Sequence, residues 1–112
     1  MKFGIVIFAT DESIGVVQLA RAVEERGFES LFVPEHTHMP VNHSPWPGGP
    51  DLPRQYKRTL DPFVALGAAA AVTTTLQLGL GVCLVVQRDP IVLAKEVATL
   101  DHLSGGRVSV VV

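Results

Sequence analysis

Leu31-Phe32-Val33-Pro34-Glu35-His36 is an apolar strand that ends abruptly in an acid and a histidine, and a long segment rich in proline, glycine and histidine follows at once. In a parallel α/β protein, side chains at the carboxyl ends of strands sit where ligands bind, so a Glu-His pair there reads as chemistry. The plainer alternative is that the pair marks where the strand reaches water. The loop that follows favours a site, because binding residues concentrate on loops carried by a rigid scaffold.

Upstream of this strand, residues 3–8 form a continuous apolar run too short for a helix. It reads as a strand buried on both faces. From about Ser13 to Arg26 the pattern turns helical, with Val16, Leu19, Ala20 and Val23 on one face and Gln18, Arg21, Glu24 and Glu25 on the other. Gly27 supplies the stop. Downstream, residues 36–60 lack periodicity and hold Pro40, Pro45, Pro47, Gly48, Gly49, Pro50 and Pro53. Connections this long are usually functional lids or disordered segments, and Trp46 gives this one an apolar anchor expected to order it.

Asp61-Pro62 and Asp89-Pro90 each set a carboxylate at an N-cap and proline at the first helical position. The helix predicted over 62–72 is apolar all round, which implies burial on both faces, one of them against a partner chain. Leu76 to Val86 reads as a long strand punctuated by Gly79 and Gly81, where interior glycines mark a bulge or a close backbone approach. A helix over 90–103 stops at Ser104-Gly105-Gly106, and Val108 to Val112 begins a fourth strand. Alternating strands and helices imply parallel pairing with right-handed crossovers. Two α/β architectures remain: a small doubly wound sheet, or the amino-terminal half of a (β/α)8 TIM barrel. A whole barrel needs ~250 residues, so this chain would supply about half of one, and truncation is expected.

Composition narrows the function classes. The chain has 112 residues, 47% hydrophobic and 18% charged, with net charge −2 and scattered basic residues, which leaves no electrostatic footprint for nucleic acid. A single cysteine, Cys83, fits a reducing compartment. The apolar start is interrupted by Asp11-Glu12 where a signal-peptide cleavage region would begin. No stretch approaches the ~18 apolar residues of a membrane span. A soluble cytoplasmic protein without a membrane partner is expected.

Several segments together resemble the bacterial luciferase-like family. These are Leu78-Gly79-Leu80-Gly81-Val82, Gln87-Arg88-Asp89-Pro90, and Ala98-Thr99-Leu100-Asp101-His102-Leu103-Ser104-Gly105-Gly106-Arg107-Val108. That family comprises flavin-dependent monooxygenases and coenzyme F420-dependent oxidoreductases on a (β/α)8 barrel. Pro34-Glu35-His36 and Leu60-Asp61-Pro62 resemble the F420 branch more closely. The resemblance covers residues 1–112 as the amino-terminal part of one barrel domain. It implies hydride transfer between F420 and a small organic substrate, with an FMN-dependent monooxygenase as the alternative.

The same resemblance implies a cofactor pocket. Phe8, Ala9 and Thr10 would lie on its floor, Glu35 and His36 beside the reactive edge, and Gly81, Val82 and Cys83 against the ring face. Glu35 stands where many relatives have aspartate. A non-prolyl cis peptide is expected near Gly81-Val82. A homodimer packed through the helices at 62–72 and 90–103 is also implied.

Histidine titrates near neutrality, so His36 is the candidate for the proton that accompanies hydride transfer, with Glu35 orienting the imidazole or touching the cofactor. His36-x-His38 with His43 nearby superficially resembles a hydrolase metal site. No second His or Cys cluster follows, and His102 falls in a predicted helix, so His38 and His43 read as loop histidines and no metal is expected. Apolar neighbours make Cys83 a packed or ring-facing thiol. Arg88 and Asp101 read as structural contacts at helix ends, and Arg107 as a strand-start anchor. A last reading is an inactive fragment with two open sheet edges.

Overall fold

A computed structural model describes residues 1–42 and 45–112. The elements are β1 (Gly4–Val6), α1 (Val16–Glu25), β2 (Ser30–Val33), α2 (Pro62–Ala70), β3 (Gln77–Gly81), α3 (Pro90–Ser104) and β4 (Val108–Val111), with 3-10 turns at Arg54–Lys57 and Val85–Gln87. All four strands are parallel, in the order β1-β2-β3-β4. A doubly wound sheet reverses its strand order at a switch point. This sheet never does, and its arrangement is that of a half barrel.

Register sorts the side chains. Ile5, Leu31, Leu78 and Val108 share one row, and Val33 pairs with Leu80 on the same face. These residues pack with Ala20, Val23, Phe63, Leu66, Ala69 and Leu100 of the helices into one core. Val6, Phe32, Gly79 and Ser109 form the adjacent row, on the opposite face that becomes the barrel interior. There the Phe32 ring lies over Gly79, where an added Cβ would come within 2.2 Å of it.

Helix ends follow the sequence chemistry. Asp61 accepts from Val64 N–H, and Asp89 accepts from Ile91 and Val92 N–H. Gly27 and Gly105 take the left-handed conformation, φ 76° and 72°, that a side chain would resist. Helix α1 begins at Val16 and not at Ser13, because the Ser13 hydroxyl is held in a turn with Thr10.

The strand expected over 76–86 ends at Gly81. Beyond it the Leu84 N–H donates to the Glu35 carboxylate, and Val85 N–H closes a turn on Cys83 O, so the ladder stops. At the opposite end of the sheet, Arg107 is buried and donates to Ser104 O, Thr73 Oγ1, Leu76 O, Ala70 O and Thr73 O. One guanidinium thereby ties the ends of α2 and α3 to the start of β3, a stronger version of the strand-start anchor expected. Asp101 contributes its main-chain oxygen, which accepts from Gly106 N–H.

Candidate functional site

The carboxyl ends of β1 and β2 bring Phe8 and His36 side by side. Their rings stack nearly parallel, 5.7 Å between centroids and 5° between planes. The imidazole also meets Tyr56 edge-on at 4.7 Å, and Tyr56 packs on Phe8 at 4.9 Å and on Trp46 at 5.0 Å. Four aromatic rings thus form one wall at the mouth of the half barrel. Burial pushes the His36 imidazole below its ordinary value, opposed by the Glu35 charge. Its neutral form therefore prevails at neutral pH, where it can accept a proton.

The loop from 37 to 60 supplies Trp46 and Tyr56, and its tethers explain why they reach the site. Leu60 N–H donates to Ala9 O at 2.8 Å, and Thr59 bridges Thr10. Arg58 pairs with Asp11 and Glu12, and Arg54 with Glu12, joining the 3-10 turn to the loop after β1. Gly48 lies so near the Trp46 indole that a Cβ would come within 2.5 Å of Nε1. The partner that anchors the Trp46 indole is Tyr56. That residue escaped the sequence reading because nothing periodic in 36–60 singles it out.

Glu35 points elsewhere than expected. Its side chain is buried, one oxygen accepting from Leu84 N–H at 2.7 Å and the other from Arg88 Nε at 2.6 Å. Both carboxylate oxygens are thus taken by Leu84 and Arg88, and neither bonds the imidazole. A buried carboxylate needs strong donors, and the Leu84 N–H and the Arg88 guanidinium supply them. Arg88 also bonds Asp61, the N-cap of α2, and Glu96 in the body of α3, in keeping with the structural contact expected of it.

Of the remaining candidates, Ala9, Thr10 and Cys83 are buried beneath the strand ends. Ala9 and Cys83 belong to the core, while the Thr10 hydroxyl accepts from Glu12 N–H. Burial pushes the Cys83 thiol up, with the Glu35 charge adding to the effect, so it is no nucleophile at neutral pH. Gly81 and Val82 follow at the end of β3, joined by a cis peptide bond as expected, with the Val82 side chain exposed. His38 is exposed, and His43 lies outside the described residues. Among the described residues no group of three or more His, Cys, Asp or Glu side chains is placed to hold a metal ion, and no helix is long and apolar enough to cross a membrane.

A parallel half barrel with an aromatic wall at its carboxyl end is the setting in which the family comparison applies. The luciferase-like monooxygenase family model matches residues 1–112. The chain belongs to that family. An uncharacterised protein of Mycobacterium tuberculosis is 52% identical over 114 residues, a match that takes in 98% of this chain and 40% of that protein. Among solved structures, the coenzyme F420-dependent tetrahydromethanopterin reductase of Methanopyrus kandleri superposes with a TM-score of 0.73 at 26% identity, over 97% of this chain and 26% of its own. The monooxygenase RslO1 of Streptomyces bottropensis superposes with a TM-score of 0.74 at 32% identity, over 98% and 32%. The luciferase-like chain thus spans about two fifths of the curated relative it matches, consistent with the amino-terminal half of such a barrel.

Proposed function

We propose that the intact luciferase-like protein transfers a hydride between coenzyme F420 and a small organic substrate, with His36 handling the accompanying proton. The observation that carries this reading is the neutral, partly desolvated imidazole stacked on Phe8 at the mouth of the half barrel. The residues present suit a planar tricyclic ring: Phe8, His36 and Tyr56 offer aromatic surface, and Val6 and Val82 expose apolar side chains at the strand ends. When bound, the deazaflavin supplies or accepts the hydride. Phe8 and Tyr56 exclude water and orient His36, whose free ring nitrogen takes or returns the proton at the reacting atom of the substrate. Glu35 contributes by holding the end of β2.

Likeness to a monooxygenase supports a second reading, FMN-dependent oxygenation on the same wall. The two separate on the absorbance and fluorescence of the cofactor that copurifies with a full-length chain. His36→Ala is expected to lower turnover at least about a hundredfold, the lower end of what a positioned acid or base contributes. Cofactor affinity should change much less, and unchanged turnover would remove His36 from the mechanism. An acid limb in kcat/KM below the ordinary imidazole value of 6.5 is expected from the direction of its shift.

A second copy of the chain is proposed as partner, packed along α2 and α3. Supporting it is an apolar groove between these helices, with Val64, Ile91 and Leu103 exposed by 75, 80 and 70%.

A further inference from the structure

Arg88 stands where four segments meet. Its Nε donates to Glu35 Oε1 at 2.6 Å and its Nη1 to Glu96 Oε2 at 2.8 Å. Its Nη2 donates to Asp61 Oδ2 at 3.2 Å, and the guanidinium carbon lies 4.7 Å from the centroid of the Phe63 ring. One cation therefore serves three carboxylates, from the end of β2, the N-cap of α2 and the body of α3. Of the three, only the Glu35 side chain is wholly buried, at 0% exposure against 45% for Asp61 and 34% for Glu96. Its second oxygen takes the Leu84 N–H at 2.7 Å, from the segment just after the Gly81–Val82 bond.

His36 follows Glu35 directly. Holding both Glu35 oxygens restrains the backbone at the end of β2, and the planar peptide that follows leaves only ψ of Glu35 and φ of His36 as soft backbone torsions before the imidazole. Beyond these there is rotation of the His36 side chain, limited by Phe8 on one face and Tyr56 at the edge. We infer that Arg88 is a positioning residue for His36, acting through the Glu35 carboxylate and the Leu84 N–H to lock the end of β2 against the segment after β3. A planar fork suits this task, because it reaches several carboxylates at once in fixed directions, which a lysine ammonium cannot do.

The inference rests on the reading of His36 as the proton-handling group, but its test reads geometry and so can fail independently. In a full-length protein labelled with carbon-13 at histidine Cε1, and with no cofactor added, the His36 signal is expected to be displaced by the ring currents of Phe8 and Tyr56. His36→Asn assigns it. Arg88→Gln is expected to remove most of that displacement in a protein that still melts cooperatively. Arg107→Lys, which weakens the buried arginine at the far end of the sheet, is expected to lower Tm and leave the His36 signal in place. Where Arg88→Gln does not fold, Arg88→Lys is expected to move the signal in the same direction by less. Added guanidinium ion at millimolar concentration is expected to return part of the displacement in Arg88→Gln and none in Arg107→Lys. An unmoved His36 signal in folded Arg88 variants overturns the inference. So does an equal movement in Arg107→Lys, which would make the effect one of general loosening. If His36→Ala retains full turnover while Arg88→Gln moves the signal, the proposed chemistry falls and the positioning role stands.

Discussion

A methyl group placed at position 79 would lie 2.2 Å from the Phe32 ring, and one at position 81 would sit 3.3 Å from it. On the inner face of the sheet the half-buried Phe32 ring thus lies in space that two glycines leave open. Gly79→Ala is expected to destabilise the protein by about 1–3 kcal/mol, the range for forcing an extra methyl group into occupied space. Phe32→Leu introduced beside it should recover part of that loss, and a double-mutant cycle by urea unfolding measures the coupling. Strictly additive losses would show that the two positions do not compete for the same space. The sequence marked Gly79 and Gly81 as a bulge or a close backbone approach, whereas the group that approaches is the Phe32 side chain, which emerges only from the register that sets it beside Gly79. Glu35 illustrates the same limit. Its place at a strand end was legible, but its orientation was decided by Arg88 and Leu84, which are distant in sequence.

At the level of elements, the caps of α2 and α3 and the glycine stops were readable because their chemistry is local. Where an element ends by a long-range bond, the sequence is silent. The Leu84 N–H that leaves the ladder for Glu35 is one instance, and Glu24 is another. The Glu24 carboxylate on α1 accepts from the N–H groups of Thr74, Thr75 and Leu76 and from the Thr75 hydroxyl, holding the turn between α2 and β3. Partial burial tends to raise this carboxyl, but those donors outweigh it and bring it from the ordinary 4.5 to about 2. A lowered pKa in the folded state means that the stabilisation is fully present above pH 4.5 and is lost as the pH falls towards 2. Glu24→Gln is expected to cost roughly 1 kcal/mol near neutrality, the scale of a solvent-screened capping carboxylate. The difference between variant and parent should shrink to nothing towards pH 2 in thermal melts followed by circular dichroism. A difference independent of pH would assign the effect to lost packing.

Over the whole molecule, the strand order and the one-sided packing of the helices are those expected of half a barrel. The alternative of a doubly wound sheet fell on topology, which no local pattern encodes. The helix expected over 62–72, with both faces buried and one of them against a partner chain, spans Pro62–Ala70, and within this single chain Val64 is left 75% exposed beside Ile91 and Leu103. If a second copy covers this groove, Val64→Glu or Leu103→Arg should shift a full-length protein from dimer to monomer by light scattering while far-ultraviolet circular dichroism stays the same. Dimers that persist in both variants would place the interface elsewhere. The loop carrying Trp46 and Tyr56 returns to β1 through Leu60 N–H and Ala9 O, so every ring of the aromatic wall and the tether that seats it precede α2 in the chain. The wall is therefore separable as one contiguous stretch of gene. A chimaera joined after β4 would carry it across whole, exchanging what it faces and leaving the group that handles the proton in place.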